Sequence, residues 1–133
     1  MNQWTDTTGN LIEEIPEQMI GFVYLITDLI SGKKYIGKKN FYKPVTKMVK
    51  GKKKKSKIES DWKAYFGSNK TLLEEIKTNG TDQYPRQILH FCKSKGTMNY
   101  MELREQIDRR ALESDDYYNE YIIVRVNQSH LKF

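Results

Sequence analysis

The sequence is poor in the residues that build disulfide frameworks and zinc sites. It contains one cysteine, Cys92, and two histidines, His90 and His130, in 133 residues. A lone thiol excludes a disulfide framework and any cysteine-based zinc site. These three side chains are also too few for a cluster of histidine and cysteine ligands around a metal, because a structural zinc ion takes four ligands.

Long apolar runs are missing as well. No run approaches the ~20 residues that a membrane-spanning helix needs, which excludes an integral membrane protein. Residues 1–18 contain four acids and lack the basic start and apolar centre of a signal peptide. A chain of 133 residues can bury one hydrophobic core but not two. We therefore expect a soluble, cytoplasmic protein with a single domain.

Acidic residues are absent from residues 38–57, a segment that contains ten lysines. The whole chain has a formal net charge of +6, so the positive charge is local and the rest of the chain is net negative. Because a run this basic repels itself and resists packing, its composition predicts a mobile loop over residues 44–57. Such a loop either contacts a phosphate backbone or only keeps the surface solvated, and charge alone does not decide between the two.

Two short apolar segments with a turn between them predict a β-hairpin. Residues 22–27 (FVYLIT) are β-branched and aromatic, which is typical of a buried strand. Ser31-Gly32 marks a turn, and residues 34–37 (KYIG) resume an extended pattern. Gly37 ends the hairpin where a larger side chain would obstruct whatever approaches the backbone. The polar residues 1–17 are expected to form an extended or loosely attached arm.

The patterns after the lysine segment predict helices around a small sheet. They indicate a short helical stretch around Trp62, a helix over 70–78, a strand over 84–92 and a longer helix over 96–113. Ser68 is the expected N-cap of the second of these. Residues 121–126 are compatible with a last short strand or an extended tail. The fold class predicted is α+β, a small antiparallel sheet flanked by helices, with an arm over 1–19 and the domain over 20–133.

The predicted hairpin carries a pair of motifs. The tripeptide FVY at 22–24 precedes YIG at 35–37 by 11 residues from tyrosine to tyrosine, and Lys38 follows. This pattern resembles the GIY-YIG nuclease superfamily. The segments SDWKAYFGS, SNKTLLEEIKTNG, YMELREQI and YYNEYI follow the family's order to about residue 122 and are similar to small phage-encoded members. The resemblance implies a metal-dependent DNA endonuclease that hydrolyses phosphodiester bonds with Mg²⁺ or Mn²⁺.

The resemblance implies roles for particular side chains. Glu102 is the expected metal ligand, because a hard cation takes oxygen ligands and water and phosphate can supply the rest. Glu105, one helical turn later, is the alternative. Tyr24 and Tyr35 are expected to point their phenols at the scissile phosphate, with Tyr35 activating or orienting the attacking water. Lys38 is expected near the site, where it would depress the pKa of Tyr35 or neutralise phosphate charge.

One feature of the family is missing. Its members usually have an arginine about one helical turn into the segment after YIG, yet no arginine occurs between Tyr35 and Pro85. Tyr65 fits the next family position, a histidine or tyrosine. Lys63 or a lysine of the basic segment is the expected substitute for the arginine, without its bidentate fork. Asn119 matches an asparagine that resembles a structural anchor near the site.

The lysine-rich loop is the expected contact with nucleic acid. It would clamp the backbone of duplex DNA without reading bases, so low intrinsic sequence specificity is predicted. The expected nucleic-acid-binding residues are Lys39, Lys50, Lys52, Lys53, Lys54, Lys55 and Lys63. The alternative is a non-catalytic basic nucleic-acid-binding protein on the same scaffold, and the missing arginine is its best argument. Nothing in the charge separates DNA from RNA.

Overall fold

The computed structural model describes residues 3–131 and residue 133. These residues form the strands β1 (Trp4–Thr5), β2 (Gly21–Thr27), β3 (Lys34–Asn40), β4 (Tyr42–Val49), β5 (Lys52–Glu59) and β6 (Arg86–Cys92). The α-helices are α1 (Lys70–Asn79) and α2 (Lys95–Asp108), and short 3₁₀ helices span Trp62–Ala64, Thr81–Gln83 and Gln128–Leu131. No helix among these residues has the length and apolar character needed to cross a membrane.

The main sheet has four strands in the order β1-β6-β2-β3. Strand β2 pairs antiparallel with β6 and with β3, its successor in the chain, so the predicted hairpin is confirmed. Strand β1 departs from the antiparallel pattern, because it pairs parallel with β6. The predicted α+β fold, with a small antiparallel sheet and flanking helices, is confirmed.

Strand β2 is covered on both faces, which explains why its sequence is apolar almost throughout. The core on one face is formed mainly by Trp4, Phe22, Tyr24, Trp62 and Leu72 of α1. The core on the other face is formed mainly by Val23, Leu25, Ile36, Cys92 and Met98 of α2. Because side chains alternate along a strand, the position of a residue in β2 or β3 decides which of the two cores it joins.

The beginning of the chain is part of the first core. The Trp4 side chain is only 1% exposed, and its indole N–H donates to the Trp62 carbonyl at 2.7 Å. A buried indole needs such an acceptor for its N–H. The expectation of a loosely attached arm is therefore wrong for Trp4–Thr5, since a large aromatic surface gains more from burial than the short strand loses in freedom. The domain boundary at residue 20 stays a prediction.

Strands β4 and β5 pair with each other and form what we call the lysine hairpin (residues 42–59). The prediction of a loop over residues 44–57 is wrong. The hairpin turns at Lys50 and Gly51, whose φ angles of 52° and 76° are of the kind that a type I′ turn requires. An exposed two-stranded ribbon lets each ammonium group reach water, so the charge does not prevent strand pairing, and valine, threonine and isoleucine within it favour extended backbone.

The helix boundaries differ from those predicted at two places. Asn69 rather than Ser68 caps α1, because its side chain accepts a hydrogen bond from a backbone N–H of the first turn at 3.0 Å. Helix α2 ends at Asp108, earlier than predicted, since the backbone reaches a left-handed φ of 53° at Arg110. Residues 121–126 form no strand, which leaves the alternative of a tail.

Candidate active site

A cleft of about 390 Å³ opens along the outer edge of β3. Its other walls are the start of α1, the middle of α2 and residues 119–123 of the tail. The polar side chains that line it include Tyr35, Lys38, Ser68, Asn69, Lys70, Glu102, Gln106 and Asn119. Charged and polar groups from distant parts of the chain thus converge in one concave place, as in a typical active site.

Strand alternation explains how β3 supplies side chains from both layers of the molecule. Tyr35 shares a sheet face with Tyr24, whereas Lys38 lies on the opposite face, toward α2. Strand β3 is the last strand of the sheet, and both side chains line the cleft at its outer edge. The two layers therefore meet at this one edge, and the cleft lies there.

Asn119 fixes the tail against β3. Its Oδ1 accepts from the Ile36 N–H at 3.0 Å, and its Nδ2 donates to the Ile36 carbonyl at 2.8 Å. Just before it, the Tyr118 N–H donates to the Lys34 carbonyl at 2.7 Å. These bonds place the following residues as a wall of the cleft. The geometry is that of a structural anchor, the part that the resemblance implies for Asn119.

Glu102 reaches the cleft from α2. Burial raises the pKa of its carboxyl group, and the charge of Lys38 opposes that rise. Lys38 is held in turn by Asn99, one turn earlier on α2, whose Oδ1 accepts a hydrogen bond from the ammonium group. None of the described residues donates a hydrogen bond to Glu102 itself. Its oxygens are therefore open to a ligand in the cleft.

The donor set of the cleft suits a hard cation that keeps much of its own water. Within residues 3–131 and residue 133, no three side chains of His, Cys, Asp or Glu come together in a metal-binding cluster. Magnesium is often bound by only one or two carboxylates, with water and substrate phosphates as its other ligands. A cation beside Glu102 would also favour the ionised carboxylate that burial disfavours. The residues present therefore fit such an ion.

Glu105, the alternative ligand, is engaged elsewhere. Its carboxylate lies 3.0 Å from the His90 Nε2 and 2.8 Å from the Arg109 Nε. Partial burial works against its charge, but the hydrogen bonds from Arg109 and His90 hold the pKa of Glu105 below its usual value. It does not line the cleft. The geometry thus favours Glu102 of the two candidates.

Tyr35 presents its phenol to the cleft beside Ser68. The two hydroxyl oxygens lie 3.3 Å apart, within hydrogen-bond distance. Burial raises the pKa of Tyr35, although the hydrogen bond with Ser68 counteracts it. The expectation that Lys38 depresses this pKa is wrong, because the neighbouring charge that lysine affects is Glu102. The phenol is therefore protonated at neutral pH.

Tyr24 lies beneath the cleft rather than on its wall. Its side chain is 1% exposed, and burial raises its pKa well above the usual value. Its hydroxyl fits against Gly37, where a Cβ would come within 2.3 Å of the phenolic oxygen. Gly67, with φ of +90°, makes similar room, since a Cβ there would lie 3.2 Å from the Tyr35 ring. The expectation that both phenols face a phosphate is wrong for Tyr24, because two glycines enclose its hydroxyl.

Tyr65 packs on the other side of Tyr24. The two rings meet edge to face with centroids 6.0 Å apart, and the Tyr65 side chain also hydrogen-bonds Tyr24. The Lys39 ammonium lies 4.1 Å from the Tyr65 ring centroid and 2.7 Å from Asp61. Neither Tyr65 nor Lys39 is among the residues that line the cleft. They lie beneath the cleft, where Tyr65 packs against Tyr24 and Lys39 lies over the Tyr65 ring.

Lys63, the expected substitute for arginine, lies at a different cavity. That cavity is lined by Trp4, Phe66 and Arg86 among others. Arg86 donates to the carbonyls of Lys63 and Tyr65 at 3.0 and 2.7 Å, so it fixes the backbone of this segment. The prediction that Lys63 supplies the missing cation of the cleft is wrong, because Lys63 lines this other cavity and not the cleft.

Lys70 is one of the cleft residues that the sequence does not single out, together with Gln106 and Glu120. It is the first residue of α1 and lines the cleft together with Lys38. The preceding Asn69 positions the helix start, because its Nδ2 donates to the Tyr118 carbonyl at 3.0 Å. The only sequence signal was a lysine next to a helix cap. Its closeness to the motif residues arises from tertiary packing.

The remaining lysines predicted to bind nucleic acid lie on the lysine hairpin. Lys50 is in its turn, and Lys52, Lys53, Lys54 and Lys55 follow on β5. All five are exposed, and they lie outside the cleft walls. The structure thus separates one group of lysines at the cleft from another on a ribbon.

Comparisons with known proteins find two matches. A family model described as "Putative endonuclease segE, GIY-YIG domain" matches residues 4–122. A protein of Enterobacteria phage T4 named "Putative endonuclease segE" is 33% identical over 101 residues. That alignment covers 76% of this chain but 40% of the relative, so the chain spans less than half of the relative's length. No solved structure matches the chain.

Proposed function

The chain belongs to the GIY-YIG endonuclease family, as its hairpin motifs predicted, and from this premise we propose that it hydrolyses phosphodiester bonds of duplex DNA with a divalent metal ion. The observation that carries the proposal is the convergence of Tyr35, Lys38 and Glu102 in one cleft. A protein that only held nucleic acid would have no need to bring a half-buried carboxylate next to the motif tyrosine. The carboxylate is useful there if it binds a cation.

Glu102 is the residue that would hold Mg²⁺ or Mn²⁺. When bound, such an ion polarises a phosphoryl oxygen and stabilises the charge that develops on the leaving group. Glu102 lines the cleft from α2, and Glu120 of the tail lines it as well. Magnesium takes one or two carboxylates, so water and phosphate would supply its other ligands.

Tyr35 orients the attacking water. A protonated phenol is both a donor and an acceptor, and Ser68, 3.3 Å away, fixes its hydroxyl. Because burial raises its pKa, Tyr35 positions water in the free protein rather than removing its proton. Deprotonation of the phenol would need added positive charge from a bound ion.

Lys38 and Lys70 supply positive charge for the phosphate. They line the cleft from β3 and from α1, so a phosphate there would lie between two ammonium groups. Each acts as a point charge, unlike the planar fork of an arginine. We assign to Lys70 the place that an arginine has in other family members. The residues that pack against this site and support it are Tyr24, Tyr65, Gly37 and Asn119.

Low sequence specificity is part of the proposal. The basic groups of the cleft and of the lysine hairpin suit phosphates, and phosphate contacts position a protein without reading bases. The phage origin of the relative suggests that the enzyme acts in the cytoplasm of an infected bacterium.

A non-catalytic nucleic-acid-binding protein is the second candidate. The observation that favours it is the lack of arginine between Tyr35 and Pro85, since a decayed nuclease would lose such a group early. Lys70 in the cleft weakens that argument, because a cation is present where one is needed.

The deciding experiment measures nicking of supercoiled plasmid with Mg²⁺ or with EDTA. We expect wild type to nick only with metal, and Glu102→Gln to lose roughly 10²–10³-fold in rate while binding DNA as wild type does. The matched control is Glu105→Gln, which removes a carboxylate of the same helix that is paired with His90 and Arg109. It should keep its nicking rate.

Two results would contradict the proposal. Full activity in Glu102→Gln would refute its role as metal ligand. Tight binding without nicking under any divalent metal would make the chain a nucleic-acid-binding protein.

A further inference from the structure

The lysine hairpin is basic on both of its faces. Cross-strand partners share a face, so the pairing of β4 with β5 assigns each lysine to one side. One face carries Lys53, Lys55 and Lys57. The other face carries Lys43, Lys47, Lys52 and Lys54. A ribbon that lay flat on one row of phosphates would need positive charge on one face only.

The hairpin has no counter-charge of its own over most of its length. All residues of β5 are exposed, and no strand of the main sheet pairs with either strand among the described residues. Its acid, Glu59, lies at the base opposite Tyr42. The two faces are therefore available to an anionic partner along nearly the whole ribbon.

The dimensions of the ribbon select among nucleic-acid grooves. Strands of eight residues extend ~26 Å, and packed β layers lie ~10 Å apart. The major groove of B-form DNA is ~12 Å wide and admits a two-stranded ribbon, whereas its minor groove is only ~6 Å wide. The major groove of A-form RNA is deep and too narrow for side chains to read. The ribbon fits B-form DNA best.

We propose that the lysine hairpin enters the major groove of duplex DNA with each basic face against one phosphate wall. The inference rests on the proposed function, because it takes DNA as the substrate. A surface depression at the base of the hairpin supports it: this depression is lined by Lys38, Lys39 and Lys43, and Lys38 also lines the cleft. The phosphate backbone of a DNA strand can thus contact basic groups continuously from the hairpin to the cleft.

The test compares two triple variants, one for each face. The first is Lys53→Gln, Lys55→Gln and Lys57→Gln, and the second is Lys47→Gln, Lys52→Gln and Lys54→Gln. Binding to a fluorescent 20-base-pair duplex is measured in EDTA between roughly 50 and 200 mM salt, where phosphate contacts dominate the salt dependence. Each variant should make the negative slope of log affinity against log salt shallower by ~2.7, because three phosphate contacts are lost in each.

If the ribbon lay flat on the DNA, one triple variant would make the salt dependence of binding shallower and the other would leave it unchanged. That result, or two unchanged slopes, would overturn the proposal. Melting temperatures control for folding, and since all six substituted residues are exposed, both variants should melt as wild type does.

The groove itself is tested by dimethyl sulfate protection. Guanine N7 lies in the major groove, so wild type should protect it, and both triple variants should do so less. An RNA duplex of the same sequence should bind at least ~10-fold more weakly, because its major groove is too narrow. Unprotected N7 groups, or equal affinity for the RNA duplex, would refute entry into the major groove.

Failure of this inference is distinguishable from failure of the nuclease proposal. Binding is measured without metal, so the groove experiments give an answer even if the chain cuts nothing. Plasmid nicking by the two triple variants at low salt gives the complementary answer. Nicking at the wild-type rate with unchanged salt slopes would overturn the groove proposal and leave the nuclease proposal standing.

Discussion

The lysines of the cleft and those of the lysine hairpin are the same residue type in opposite settings. Lys38 is held by Asn99, lies beside the carboxylate of Glu102 and extends from the edge strand β3, whose Ile36 belongs to one of the two cores. Lys52 to Lys55 are exposed on a ribbon that pairs only with itself among the described residues. The comparison teaches that a charge can be placed to within a fraction of an ångström only where packing and hydrogen bonds hold it. On the ribbon, number and sign of charges are what matter.

The same contrast separates rate from affinity. Groups in the cleft should change the rate of cutting at saturating DNA, whereas groups on the hairpin should change the affinity and its salt dependence. Substitutions in the two regions should therefore differ in which of these quantities they change.

Replacing Tyr35 by Phe should slow cleavage more than replacing Lys70 or lowering the pH. The variant keeps the ring beside Gly67 but removes the hydroxyl next to Ser68, so the attacking water loses its orienting group. We expect single-turnover cleavage to slow by ~10²-fold at saturating DNA, with affinity unchanged. Its control on the hairpin is Tyr42→Phe, which keeps the ring under the Lys57 ammonium. Equal losses of rate and affinity in Tyr35→Phe would indicate a packing role instead.

Replacing Lys70 by Gln should have an effect of intermediate size. The cleft would lose one of the two ammonium groups that line it, and we expect the rate at saturating DNA to fall ~10-fold. On the hairpin, Lys53→Gln should keep the rate and make the negative slope of log affinity against log salt shallower by ~0.9. Single-turnover kinetics and salt titrations of both variants check this. If Lys53→Gln slowed the chemical step as much as Lys70→Gln, the division between the two regions would fail.

The pH dependence should show the smallest effect. Since burial raises the pKa of Glu102, protons compete for its carboxylate at a higher pH than for an ordinary glutamate. Cleavage should therefore decline on the acid side earlier than a glutamate in water would suggest, and more Mg²⁺ should move that decline to lower pH by mass action. Rate profiles between about pH 4 and 7 at two metal concentrations test this.

DNA binding in EDTA provides the contrast for that experiment. Binding by the lysine hairpin needs neither the metal nor the Glu102 carboxylate, so the affinity should change with pH far less than the rate does. An acid limb that ignores the metal concentration would argue that a group other than Glu102 controls it.

The hairpin of β2 and β3 could be predicted because its information is local. The apolar run at 22–27, the turn at Ser31-Gly32 and the YIG tripeptide all lie within residues 22–37. The sequence indicates that Gly37 is a place that excludes a larger side chain, and the structure gives the reason, because the Tyr24 hydroxyl lies directly across the strand pair. Glu102 followed from the family pattern on α2.

The parts that escaped prediction depend on contacts between distant segments. Nothing near Lys70 in the sequence indicates that Asn69 will bind the Tyr118 carbonyl and bring α1 to the edge of β3. Trp4 gave no periodic signal, because its strand has two residues and is defined by its partner β6. For the lysine hairpin the sequence did hold a signal, the Lys50-Gly51 turn, but the charge run outweighed it. Composition describes a segment's solvent exposure better than its backbone.

The two hydrogen bonds between Asn119 and Ile36 can form only late in translation. Synthesis starts at the N-terminus, so Tyr35 and Glu102 leave the ribosome before residues 116–123 do. Until that segment arrives, the edge of β3 lacks the partners it has at Lys34 and Ile36, and an unpaired edge is a template for pairing with other chains. A nascent or truncated chain would thus have the side chains assigned to catalysis without the wall that encloses them. The hydrogen bonds between Asn119 and Ile36 would thus delay cutting until the fold is complete, and they would protect the edge of β3 from pairing with other chains.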